Sequence, residues 1–206
     1  MRIGIYGGSF SPIHNGHIRA LKAFLAQMQL DFVYVIPAYT PPHKKTDKVI
    51  DSKHRIKMCE IALKDVEGVV VSDIEIARGG TSYTVDTLRA LYNENNRLFL
   101  LMGTDMMLTL DTWRAPEEIF RLCYPVYMRR ETDKANDALV VKKISEYLEK
   151  YGKVVRRIVA DPIEISSTEI RRRLADGEDV SEYLPKGVIE YIKENKLFLA
   201  ADNRYE

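Results

Sequence analysis

The sequence predicts an α/β fold: a single doubly wound, mostly parallel sheet with a small helical part at the C-terminal end. Short apolar runs alternate with helical periodicity along most of the 206 residues, the pattern of buried strands joined by crossover helices. The first apolar run, Ile3-Gly4-Ile5-Tyr6, passes straight into glycines and then into an amphipathic stretch, the order strand, turn, helix. No linker, repeat or low-complexity tract interrupts the chain, so one domain over residues 1–206 is expected.

The elements follow in order. Ile18, Leu21, Leu25 and Met28 fall on one helical face. Residues 32–36 read as a second strand ending at Pro37, and residues 38–48, rich in Pro and Lys, as a loop. The next helix aligns Ile56, Cys59 and Leu63, and a third strand covers Val69–Val71. The Gly79-Gly80 turn leads to a helix carrying Val85, Leu88 and Tyr92, then to a strand over 98–102. Short helices around 106–108 and 116–122 precede a strand over 124–128. A helix marked by Val140, Ile144 and Leu148, a sixth strand over 154–159, and helices over 167–175 and 185–194 complete the chain. In such sheets ligands bind beyond the carboxyl ends of the strands. The exit of the first strand, the Gly103 turn and the turn before Ser166 are therefore expected to converge.

Composition narrows the function. Hydrophobic content of 46% and charged content of 30% are globular values that argue against disorder. A formal net charge of +1 supplies no overall field for nucleic acid, and no such partner is expected. The apolar runs are too short to span a bilayer, and the N-terminal one is cut by Gly7-Gly8, so neither membrane insertion nor a signal peptide is expected. Cys59 and Cys123 make no CxxC pair and read as reduced thiols of a cytoplasmic protein. Assembly into a homo-oligomer is left open.

The segment Gly7-Gly8-Ser9-Phe10-Ser11-Pro12-Ile13-His14-Asn15-Gly16-His17 concentrates the chemistry. Unpaired N–H groups at a helix start attract anions, glycines allow close approach, and the histidines add donors. It is neither a Walker loop nor a GxGxxG turn. Three readings stand: a nucleotide-phosphate site, a metal pair on one helix face, or structural histidines. The metal reading lacks a third ligand, whereas the phosphate reading also accounts for the glycines. A helix dipole of about half a charge disfavours imidazolium. A bound triphosphate favours it, which would leave the histidines as donors to a phosphoryl group.

Further constellations lie downstream. Ser166 and Glu169 have capping-box spacing, which starts a helix at Ser167 with Ile170 and Leu174 inward. Arg171, Arg172 and Arg173 then form either a solvated basic face or a second phosphate grip. Thr40-Pro41-Pro42-His43-Lys44-Lys45 reads as a stiff loop with a cationic tip, a flap over phosphates or plain surface. In Gly103-Thr104-Asp105 the carboxylate either meets ribose hydroxyls or caps a helix. Beside Ser82-Tyr83-Thr84-Val85-Asp86-Thr87, the lone Trp113 is either core or a platform for a flat heterocycle.

Together these residues resemble a known family. Gly7 to His17 resembles the GGxFxPxHxGH signature of the nucleotidyltransferases related to class I aminoacyl-tRNA synthetases. The ordered set PPHK, SYTVDT, GTD, Trp113 and ISSTEIR, with the closing LPKGVIEYIKENKLF, is similar to bacterial nicotinate-mononucleotide adenylyltransferases over essentially the whole chain. The resemblance implies a Rossmann-like nucleotidyltransferase fold. It also implies a reaction in which ATP and nicotinate mononucleotide, with Mg2+ accompanying the ATP, give deamido-NAD and pyrophosphate. Direct attack of the mononucleotide phosphate on the ATP α-phosphorus is implied, without a protein nucleophile or a resident metal site. By matching positions, Gly7, Gly8, Ser9, Phe10 and Gly16 would form the ATP loop, and His14 and His17 would hold the ATP phosphates and stabilise the transition state. Arg171 would grip the β- and γ-phosphates, with Ser166, Ser167 and Thr168 as helix-start donors. Lys44 would close over the reacting phosphates, and Gly103 and Asp105 would meet the adenosine. Trp113 would stack on the nicotinate ring, whose carboxylate would meet backbone N–H groups near Thr84 and at Arg114.

Three positions depart from the family pattern. Ser9 stands for the usual Thr and keeps the hydroxyl, Ser11 for a frequent Asp, and Arg114 for a frequent Tyr. Ser11 removes a carboxylate near the phosphates, and Arg114 would add attraction for the pyridine carboxylate. The rivals are a sister enzyme, phosphopantetheine adenylyltransferase or a cytidylyltransferase, and a catalytically idle nucleotide sensor. A class I tRNA synthetase is excluded by length.

Overall fold

The computed structural model describes residues 1–40, 50–129, 137–160 and 165–199. Its centre is β1 (Arg2–Gly8), flanked by β2 (Phe32–Pro37) and β4 (Arg97–Gly103). With β3 (Val69–Val71), β5 (Cys123–Met128) and β6 (Arg156–Ile158) the order is β3-β2-β1-β4-β5-β6. Every pairing is parallel, so the expected mostly parallel sheet is parallel throughout the described residues. The chain winds outward from β1 to β3, returns to the other side of β1 as β4, and winds outward again. Connections right-handed in both directions must then lie on opposite faces, and a crevice opens where the winding reverses, between β1 and β4.

Helices α1 (Asn15–Gln27), α2 (Ser52–Leu63), α8 (Ser167–Ala175) and α9 (Lys186–Glu194) cover one face. The other carries α3 (Ile74–Arg78), α4 (Thr84–Leu91), α5 (Thr104–Leu108), α6 (Pro116–Leu122) and α7 (Asp137–Tyr151). β4 shows how one strand serves both layers. Phe99 and Leu101 enter the first core, while Leu98, Leu100 and Met102 enter the second, the period-two alternation of a strand buried on both faces. Gly4 lets α1 approach β1: a Cβ there would lie 2.6 Å from Val33 and 2.7 Å from the Phe24 ring.

The structure departs from the sequence pattern in four places. α7 buries Val140 and Tyr147, whereas Leu148 is 49% exposed. The Tyr147 ring packs near Phe120 and its hydroxyl donates to the Met107 carbonyl, which turns the helix away from the Leu148 stripe. Tyr92 lies past the end of α4 and is exposed. β6 is a short edge strand pairing only with β5, so Val154 and Val159 are exposed instead of packed. Finally, α3 forms in a stretch to which the sequence pattern assigned no element.

Candidate active site

A cavity of about 390 Å³ opens at the carboxyl ends of β1 and β4, a size suited to a small-molecule ligand. Gly7, Gly8 and Ser9 wall it on one side, Gly103 lies at the end of β4, and Thr84, Trp113 and Arg114 close the far end. A Cβ on Gly7 or Gly103 would meet nothing within 4 Å, so both glycines leave ligand space open. Phe10 does not line the cavity. Its ring is core, and its φ of 46° is left-handed, a strained conformation costing about 1–2 kcal/mol that burial of the ring sustains.

The histidines lie at the start of α1, on the helix that follows the cavity-lining glycine loop, and are not among the residues that line the cavity. His14 is the N-cap residue and His17 occupies the third helical position. Their rings lie 3.7 Å apart, and the His14 N–H donates to His17 Nδ1 at 3.2 Å. An accepting Nδ1 carries no proton, so His17 is neutral here and its Nε2 bears the hydrogen. Two imidazolium ions at this distance would repel by about 4 kcal/mol at an effective dielectric constant of about 20. Without ligand, then, the pair does not hold the two charges that the sequence reading gives it with ATP bound. A neutral His17 is nonetheless already a donor. The helix start also offers fewer backbone donors than its sequence suggests. Asn15 N–H donates to the Tyr183 carbonyl at 2.8 Å and His17 N–H to the His14 carbonyl at 2.9 Å, which leaves Gly16 N–H in the first turn.

The start of α8 is stitched to the same loop. Ser167 Oγ donates to the Pro12 carbonyl at 2.9 Å and Arg171 Nη1 to the Ser11 carbonyl at 2.9 Å. Ser166 Oγ accepts from Glu169 N–H, as a cap should. The three arginines separate by partner. Arg172 pairs with Glu169, Asp176 and Glu178, and Arg173 with Glu169. Among the described residues no carboxylate pairs with Arg171, whose pKa is lowered by desolvation. A half-buried cation of this kind gains from an incoming anion.

Hydrogen bonds from Arg172 and then Arg173 pull the Glu169 carboxyl down to about 2. A depressed carboxyl stabilises the fold above its unfolded value of about 4.3 and loses that effect as pH falls towards 2. The ion pairs of Glu169 are screened by solvent, so Glu169→Gln should melt only slightly below the parent at pH 7, and thermal scans should show the difference shrinking as pH falls.

At the far end of the cavity, Thr84 is the first residue of α4, so the unpaired N–H groups of that helix start adjoin the cavity wall. Trp113 is half-buried and also packs against the second core. Arg114 lies over the Tyr83 ring at 4.6 Å and 3.8 Å from Asp86. The side chain of Asp105 is exposed on α5 and does not line the cavity. Lys44 lies outside the described residues.

Sequence reasoning overlooked two buried charges. Glu75 lines the cavity and accepts from Thr87 Oγ1 at 2.6 Å, and Arg78 donates to that same oxygen. Arg55 sits under the glycine loop, 1% exposed. The signal for it was present: the inward stripe of α2 is Arg55, Met58, Cys59 and Leu63, a cation in an otherwise apolar row.

The profile of the cytidylyltransferase-like family matches residues 5–173. A Clostridium botulinum (strain Eklund 17B / Type B) protein described as a "probable nicotinate-nucleotide adenylyltransferase" is 39% identical over 198 residues, 96% of this chain and 98% of the relative. Its namesake in Thermoanaerobacter sp. (strain X514) is 35% identical over 201 residues, 96% of this chain and 94% of the relative. Among solved structures, the Plasmodium falciparum nicotinic acid mononucleotide adenylyltransferase complexed with NaAD matches with a TM-score of 0.78 at 22% identity. That match covers 96% of this chain and 97% of the other, and it shows a shared fold. The profile covers more than half of the chain and the curated relatives match it over nearly its full length: the chain belongs to the cytidylyltransferase-like family and, within it, to the nicotinate-nucleotide adenylyltransferases.

Proposed function

We propose that the chain transfers the adenylyl group of ATP to nicotinate mononucleotide, giving deamido-NAD and pyrophosphate. A mononucleotide phosphate oxygen attacks the α-phosphorus, and the bond to the α,β-bridging oxygen breaks in line. The nucleophile is already an anion, so the protein's task is to align the reactants and neutralise charge. The observation that carries this reading is a cavity walled by the glycine loop and by Trp113 with the start of α4, the same loop leading on to His14 and His17 and bonded through the Ser11 carbonyl to Arg171.

In this reading His17 Nε2–H and His14 donate to the phosphoryl group as charge builds on it. Arg171, with the N–H groups of Ser167 and Thr168, holds the leaving pyrophosphate. Lys44 approaches the same phosphates. Trp113 stacks on the pyridine, and the start of α4 with Arg114 receives its carboxylate. Gly7, Gly8, Ser9 and the Phe10 and Gly16 backbone carry the ATP, with Gly103 and Asp105 on the adenosine side.

Among the described residues no group of three His, Cys, Asp or Glu is placed to hold a metal. Imidazole, hydroxyl, guanidinium and backbone N–H donors around the loop fit a magnesium ion carried on the phosphate oxygens of ATP. Bound there, it supplies neutralisation of phosphate charge. The two free cysteines are buried, and burial raises the Cys123 thiol to about 12. Inert, unpaired thiols of this kind support a cytoplasmic setting.

Purified protein with ATP, magnesium and one acceptor at a time tests the reading. Pyrophosphate release is expected with nicotinate mononucleotide and less with nicotinamide mononucleotide. Release with phosphopantetheine alone would overturn the acceptor, and no release with any acceptor would overturn the activity.

A further inference from the structure

Arg55 is a fully buried cation with an unusual set of partners. Among the described residues no carboxylate comes within 4.0 Å of it. Its hydrogen bonds all go to backbone carbonyls: Nε donates to Ile50 at 3.0 Å, and Nη1 to Ser9 at 3.0 Å and Ala38 at 2.6 Å. Burying an ion without a counter-ion is costly, and desolvation lowers the pKa of this guanidinium. Packing alone gives no reason for it, since an apolar side chain would fill the α2 stripe at lower cost.

The three acceptors lie at informative places. Ser9 belongs to the glycine loop and lines the cavity. Ala38 follows β2 directly and Ile50 precedes the α2 cap, Asp51. In sequence these two flank the stretch that carries Lys44. One planar, multi-donor group thus joins the glycine loop to both roots of that stretch, a span that a lysine ammonium cannot reproduce in the same geometry.

The Ser9 contact has a second consequence. In a trans peptide the carbonyl of one residue and the N–H of the next point in opposite directions. With the Ser9 carbonyl held towards α2, the Phe10 N–H points away from α2. Phe10 is also the residue held at a φ of 46°.

We infer that Arg55 is a positioning residue for the phosphate site: it fixes the Ser9–Phe10 peptide so that its N–H serves the polyphosphate, and it ties this loop to both roots of the Lys44-bearing stretch. This inference rests on the adenylyltransferase reading above. Among the described residues the positive charge is hydrogen-bonded only by carbonyl oxygens, and it gains a closer counter-charge when the polyphosphate arrives.

Two variants and one measurement on the parent protein test it. Arg55→Lys keeps the charge but loses the three-way span. It should fold, keep KM for ATP within about threefold, and lower kcat at least tenfold. Arg55→Met loses both and should in addition raise KM for ATP about tenfold. Variants that melt earlier but show parental kcat and KM at a temperature where they are folded would reduce Arg55 to a structural residue. Should neither variant fold, hydrogen exchange on the parent decides. ATP with magnesium should slow exchange together in peptides covering Ser9–Phe10, Ala38 and Ile50–Ser52. Protection confined to the glycine loop would overturn the inference. Absence of pyrophosphate release by the parent would instead overturn the underlying reading, and the two failures are separate.

Discussion

His17→Ala lowers kcat by roughly 10²–10³-fold while KM for ATP rises by less than about threefold, the pattern of a contact strengthened in the transition state. The expectation rests on one hydrogen bond. His17 Nδ1 accepts from the His14 backbone at 3.2 Å, which fixes the ring and assigns the remaining proton to Nε2. The donor is in place before ATP arrives, so no binding energy goes to orienting it, and its effect falls on the step in which charge develops. Steady-state pyrophosphate release at saturating mononucleotide measures both constants. Unchanged turnover with a raised KM would make His17 a ground-state ligand only. Because the same bond holds the first turn of α1, the variant should also lose about 1 kcal/mol of stability, a thermal shift of a few degrees. A larger shift would mean that the kinetic loss reports damage to the helix start.

Trp113→Ala should raise KM for nicotinate mononucleotide by about 10–100-fold with kcat within a few-fold of the parent. Stacking of an aromatic side chain on a flat heterocycle contributes about 1–3 kcal/mol, and about 1.4 kcal/mol is a factor of ten. Trp113 lines the cavity whereas the histidines do not, so its loss weakens acceptor binding without moving the phosphoryl donors. Its edge also packs on the second core, and some loss of thermal stability is expected. Trp113→Phe should recover most of the affinity. A Trp113→Ala protein that is folded and binds the mononucleotide normally would return the ring to a purely structural role.

The sequence made the elements legible because strand and helix periodicities are local. β1, β2, β4 and the starts of α1 and α8 agree with the pattern to within a residue or two. The failures share a cause. α7 carries two apolar stripes, and the choice between Leu148 and Tyr147 is made by Phe120, a residue far off in the chain. In α2 the expected Cys59 and Leu63 are buried, but Arg55 instead of Ile56 takes the first inward place and reaches Ser9, 46 positions away. Asn15 N–H, an open donor by helix logic, is taken by Tyr183. No window of sequence contains these partners.

The residues by themselves determined a parallel α/β sheet and a glycine turn running from its first strand into a helix, because both follow from spacing within a few residues. The ordered motifs also determined the family. The tertiary structure decided the rest. Strand order put the winding reversal between β1 and β4, and so decided that Gly7, Gly103, Thr84 and Trp113 share one cavity. Packing of α8 against the 11–12 turn separated Arg171, which reaches Ser11 across 160 positions, from Arg172 and Arg173, which meet carboxylates on or near their own helix. Only assembly of the sheet and its two helical layers sets contacts between distant segments, and those contacts turned a row of polar residues into a site.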